Sequence, residues 1–111
     1  MSKRYELYMK NQKGSSEYSA TAILENGKIT VKKGSRINKK IANSSTFKLN
    51  SKAQAKRNEK ELYDENGILL KDVEFDSAST AGQFVCGYSV SGMLCWRDKN
   101  KNTLKYILKG E

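Results

Sequence analysis

Ala20-Thr21-Ala22-Ile23-Leu24-Glu25-Asn26-Gly27-Lys28-Ile29-Thr30-Val31-Lys32 decides the fold class of this chain. Two β-prone runs flank Asn26-Gly27, and both of these residues accept positive φ. Asn-Gly between such runs is the strongest short-range signal for an antiparallel hairpin. Upstream, Tyr5, Leu7 and Met9 alternate with Glu6, Tyr8 and Lys10, which predicts a strand over Tyr5–Lys10. Downstream, Gly34-Ser35 stops the second hairpin strand, and Ile68–Leu70 with Val73–Phe75 reads as a strand with a bend.

Two helices are expected. Ser51 can cap one running to about Glu65 and ending at Asn66-Gly67, with Ala55, Leu62 and Tyr63 as its apolar contacts. Ser77 can cap the other, Ala78–Cys86, whose inward stripe is Ala81, Phe84, Val85 and Tyr88, with Gly87 just past its end. Residues 36–50 read as irregular and polar, anchored by Ile37, Ile41, Phe47 and Leu49. Met93–Arg97 is strand-like, Asp98–Asn102 is a polar turn, and Thr103–Leu108 fits a strand or a short helix. Strands outnumber helices without βαβ alternation. The expected class is therefore α+β, a small and mostly antiparallel sheet of about five strands with two helices on one face. No linker or repeat interrupts the chain, so residues 1–111 are read as a single domain.

Composition excludes much chemistry. The 111 residues contain no His, no Pro and two Cys, Cys86 and Cys95. A four-ligand His/Cys zinc site cannot be built within one chain, and neither Ser-His-Asp nor Cys-His catalysis has its base. No apolar run reaches transmembrane length and no signal peptide is visible. The expected location is cytoplasmic, without membrane contact, with both cysteines reduced. Neither enzymatic activity nor a cofactor is expected.

The net charge of +9 is unevenly placed. Residues 28–60 hold eleven Lys and Arg against Glu59 alone. Such a density of one sign attracts polyanions, although a Lys-rich surface is often only a soluble one. Lys52, Lys56 and Lys60 recur every four residues and would share one helix face. Lys33-Gly34-Ser35-Arg36 combines a Gly that lets the backbone approach a phosphate, a hydroxyl and two cations. The competing reading is a strand-ending turn. The candidate nucleic-acid-binding residues are therefore Lys33, Ser35, Arg36, Lys39, Lys40, Lys52, Lys56 and Lys60.

Other motifs are weaker. Asp72, Glu74 and Asp76 alternate on one strand face, which suits a divalent cation or, more simply, a solvated strand edge. Asp98-x-Asn100-x-Asn102 opens like a calcium loop, but Thr103 and Lys109 stand where Gly and Glu are needed. Trp96 beside Arg97 could stack on a base, but a lone Trp in an apolar run with Met93, Leu94 and Cys95 is more often a core anchor.

One ordered set of residues resembles a known family. Ala20-Thr21-Ala22, Gly27, Ile29-x-Val31-x-Lys33-Gly34-Ser35, Ser77-x-Ser79-x-Ala81, Val85-x-Gly87, Gly92 and Trp96-Arg97 resemble an uncharacterised bacterial domain of unknown function. That domain is often attached C-terminally to GIY-YIG endonucleases or found in restriction-modification proteins. The likeness runs from about Ala20 to Leu104, with Ala78 where the family often has Pro and Gly82 where it often has Ala. The GIY-YIG motif is absent, and the chain leaves no room for a nuclease domain, so the resemblance brings no catalysis. It implies an accessory role, with DNA or RNA as partner. The alternative is an assembly module that docks on a separate nuclease or modification enzyme.

Overall fold

The computed structural model describes residues 4–10, 18–38, 51–87 and 91–109. Four strands, β1 (Arg4–Lys10), β2 (Ser19–Glu25), β3 (Lys28–Val31) and β4 (Val73–Phe75), form one antiparallel sheet in the order β1-β2-β3-β4. The hairpin turns at Asn26 (φ 56°) and Gly27 (φ 78°), and Glu25 pairs with Lys28 across it. Period-two alternation puts Leu7, Met9, Ala20, Ala22, Ile29, Val31, Val73 and Phe75 on one buried face. The opposite face carries Glu6, Tyr8, Lys10, Ser19, Thr21, Lys28, Thr30 and Glu74 outward.

Helix α1 spans Ser51–Asn58, α2 Ala78–Cys86, α3 Gly92–Cys95 and α4 Leu104–Lys109. Helix α2 packs on β3 and β4, while α1 and α3 pack on α2, and α4 on α3. Ala81, Phe84 and Val85 are fully buried, and the Phe75 and Phe84 rings meet at 5.1 Å. Each large apolar side chain removed from water contributes about 1.5–3 kcal/mol. The limits of α2 match the caps read from sequence. The Ser77 hydroxyl accepts from Thr80 N–H, and Gly87 (φ 80°) returns its N–H to the Gln83 carbonyl. Tyr88, Ile41, Phe47 and Leu49 lie outside the described residues.

Four expectations need correction. The helix from Ser51 ends at Asn58, and its buried positions are Ala53 and Arg57, with Ala55 exposed. Glu59 (ψ 86°) breaks it, a single 3-10 turn follows at Lys60–Leu62, and the Tyr63 hydroxyl donates to the Arg57 carbonyl. Asn66-Gly67 then closes a tight loop, in which Asp64 Oδ1 accepts from Asn66 N–H at 2.8 Å and Ile68 N–H at 3.0 Å. The same Asn-Gly signal serves a hairpin and a helix end, and here the pairing of Tyr63 with Leu69 decides for the hairpin.

The strand-like run at residues 93–97 is instead helix α3 followed by Trp96 and Arg97. Gly92 is its first residue. Its N–H donates to Ser79 Oγ at 2.9 Å, and a Cβ there would lie 2.3 Å from the Ser79 nitrogen. The undecided C-terminal segment is helix α4, and Thr103 Oγ1 accepts from Tyr106 N–H at its start. The sheet has four strands, not five, because the expected fifth shrinks to Arg97, which bridges Tyr8 and Thr103. Arg97 exchanges both backbone hydrogen bonds with Tyr8 on the open edge of β1. Among the described residues no helix is long and apolar enough to cross a membrane.

Candidate functional site

The basic residues of β3 and α1 are drawn largely into ion pairs. Lys28 Nζ lies 2.7 Å from Asp76 and 3.9 Å from Glu74, while Lys32 Nζ lies 2.8 Å from Asp72. Lys52 reaches the second oxygen of Asp76 at 3.7 Å, and Lys56 pairs with Glu59 at 3.6 Å. The hydrogen bond from Lys32, then the backbone N–H of Lys33, holds the Asp72 carboxyl below its ordinary value. The bond from Lys28 does the same for Asp76, and the Lys28 ammonium is raised in return. The alternating carboxylates Asp72, Glu74 and Asp76 are thus a cross-strand partner for lysines. Among the described residues no group of three or more His, Cys, Asp or Glu is arranged to hold a metal.

The Lys33-Gly34-Ser35-Arg36 turn uses its donors internally. Lys33 N–H donates to Asp72 Oδ1 at 2.8 Å, and Gly34 (φ 91°) donates to the Leu69 carbonyl. Ser35 is 5% exposed, and its hydroxyl accepts from Thr21 N–H at 3.0 Å and donates to the Thr21 carbonyl. That side chain pins the turn to β2 and does not face solvent. The Lys33 and Arg36 side chains are exposed, and Lys39 and Lys40 lie outside the described residues. Lys52, Lys56 and Lys60 do not form one helical row, because Lys60 lies beyond the break and sits over the Tyr63 ring at 5.7 Å.

Arg36 converges with residues that were not among the candidates. It exchanges both backbone hydrogen bonds with Ser19, and Ser19 pairs in turn with Lys10. Lys10, Ser19 and Arg36 therefore form one exposed row on the outward face, with Lys10 and Arg36 on either side of Ser19. One register step away, Arg97, Tyr8, Thr21 and Lys32 line up in the same way. The alternation of Tyr5–Lys10 already put Tyr8 and Lys10 on the polar face, and the missing signal was the long-range partner.

Beyond the β1 edge a groove of about 340 Å³ opens, lined by Tyr8, Lys10, Cys95, Arg97, Asp98, Lys99 and Lys101. Asp98 shapes its loop. Oδ1 accepts from Asn100 N–H at 2.8 Å and Asn102 N–H at 2.9 Å, and Oδ2 accepts from Asn102 Nδ2 at 3.2 Å. The backbone N–H of Asn102 leads in holding the Asp98 carboxyl below its ordinary value. Arg97 Nη1 donates to the Lys101 carbonyl at 3.4 Å, tying loop to strand. Among the described residues Lys10, Lys99 and Lys101 make no salt bridge.

Neither sulfur nor indole offers chemistry at this groove. Burial, then the neighbouring Cys86, pushes the Cys95 thiol up to about 12, which leaves it protonated at neutral pH. Trp96 is fully buried and donates its Nε1–H to the Ala78 carbonyl at 3.0 Å, so it is a core anchor and not a stacking platform.

No curated protein and no solved structure matches the chain. A family model described as "Domain of unknown function (DUF4357)" matches residues 9–108, from the end of β1 through the rest of the sheet to α4. The chain belongs to the DUF4357 family.

Proposed function

We propose that this chain is a non-enzymatic accessory domain that binds nucleic acid through its phosphate backbone. The observation that carries the reading is the exposed row Lys10-Ser19-Arg36, flanked by Arg97 opposite Tyr8. These cations come from three separate chain segments, yet they share one end of one sheet face. The lysines of the β3–β4 pair have carboxylate partners. Three or four such cations neutralise phosphates and release counterions, which gives weak binding that falls with salt. Lys supplies a point charge and reads no base pattern, so sequence preference is small. Catalysis on the nucleic acid belongs, in this reading, to a separate nuclease or modification enzyme. The resemblance to nuclease-attached domains supports that division of labour.

Titration of end-labelled duplex at two salt concentrations tests the proposal. The expected result is measurable binding at low salt that weakens steeply as salt rises, and that the double variant K10E/R36E lacks. No binding at low salt, or an affinity indifferent to salt, overturns it.

A further inference from the structure

We infer that the groove between β1 and the 98–101 loop receives single-stranded nucleic acid, with one base stacked on Tyr8 and its phosphates met by Lys10, Lys99 and Lys101. The inference rests on the nucleic-acid reading above and sharpens it, because it names the strandedness of the ligand and a specific aromatic contact. Two placements and one chemical argument support it.

Tyr8 is 36% exposed on the outward face of an edge strand, between Glu6 and Lys10 on its own strand and opposite Arg97 on the other side. Its hydroxyl donates to Glu6 Oε1, which fixes the ring along the strand. A ring held in place loses little freedom when a base stacks on it.

The groove beside it, of about 340 Å³, falls in the range of sites that hold one small organic group. Its rim is built and not merely charged. The Asp98 carboxylate accepts from Asn100 N–H, Asn102 N–H and Asn102 Nδ2, and Lys101 takes a left-handed φ of 68°. Together these set Lys99 and Lys101 on the rim as exposed cations that make no salt bridge among the described residues.

The chemistry selects single strands. In a duplex the faces of the bases are covered by their neighbours, so only an unstacked base offers its face to an edge-strand tyrosine. Base–aromatic stacking tolerates any base, which agrees with lysine contacts that read none.

The test uses the intact chain with three end-labelled probes: a short oligothymidylate, an abasic deoxyribose-phosphate strand of equal length, and a duplex of equal length. The expected result is oligothymidylate bound at least about fivefold more tightly than the abasic strand. Tyr8→Leu should erase that difference and leave abasic and duplex affinities unchanged, while Tyr8→Phe, which keeps the ring and loses its bond to Glu6, retains part of it. Equal affinity for thymidylate and abasic strands overturns the inference without any variant, and so does a Tyr8→Leu loss shared equally by all three probes. Either result leaves backbone binding standing. If none of the three probes binds, the nucleic-acid reading and this inference fall together.

Discussion

Arg57 donates its Nε–H to the Phe84 carbonyl at 3.0 Å, so a cation on one helix closes the C-terminus of another. Its Nη2 reaches the Val85 carbonyl at 3.4 Å, and the guanidinium lies 6.0 Å from the centre of the Phe84 ring. Helix α1 therefore runs in the same direction as α2, with Lys52 at the Asp76 end and Arg57 at the other. At 5% exposure Arg57 satisfies carbonyls that water cannot reach, and burial in turn lowers its pKa. Truncation to Ala should cost about 2–3 kcal/mol, because it leaves buried acceptors unpaired. Urea unfolding checks this, and a loss below about 0.5 kcal/mol would deny the contact an energetic role.

Gly92 and Gly27 should respond differently to alanine. At Gly92 a Cβ would lie 2.3 Å from the Ser79 nitrogen and 2.4 Å from the Ala78 carbonyl carbon, both backbone atoms. Helix α3 must then lift off α2, and Gly92→Ala should cost more than about 2 kcal/mol. At Gly27 nothing lies within 4 Å, and only the positive φ of 78° opposes a side chain. Gly27→Ala should cost about 1 kcal/mol. Paired thermal melts compare the two, and equal losses would contradict the close approach at Gly92.

Acid should weaken the fold through Asp72, Asp76 and Asp98, whose folded pKa values are all depressed. The sign follows from linkage. A depressed carboxyl contributes stability that is complete above its unfolded pKa, about 3.9, and lost as pH falls through the folded value. Lys28 runs the other way at the alkaline end. Its raised pKa makes its contribution complete below the unfolded pKa and lost as pH rises through the folded one. Melting temperatures measured from pH 6 down should fall more gently in Asp98→Asn than in the parent chain. Parallel curves would mean that the loop carboxylate has no part in the acid response.

Charge reversal distinguishes the two basic regions. K10E/R36E should weaken binding to labelled duplex by about tenfold or more at low salt. K52E/K56E should change it far less, because Asp76 and Glu59 already stand beside those ammonium groups. A larger loss in the helix variant would move the interface from the sheet to α1.

Much of the fold was legible because its signals are local. Asn26-Gly27 needs only its two flanking runs, and Ser77 with Gly87 bounds α2 by caps that bond within a few residues. The misread segments depend on distant partners. Residues 63–69 become a hairpin because Tyr63 pairs with Leu69, and residues 92–95 become a helix because Gly92 fits against Ala78 and Ser79. The site divides in the same way. Arg36 was a candidate from its turn alone, whereas Lys10 and Arg97 join it only through pairings with Ser19 and Tyr8. Ser35 was misleading because a hydroxyl beside Gly looks the same in sequence whether it faces a phosphate or the backbone of Thr21.

The buried indole of Trp96, the only tryptophan of the chain, gives the domain a built-in optical reporter. Its N–H rests on the first carbonyl of α2, so its emission follows the α2–α3 junction and shifts to the red only when water enters there. Its chain neighbours Cys95 and Arg97 both line the groove beside Tyr8, so one indole watches the core from within and the ligand surface from a single residue away.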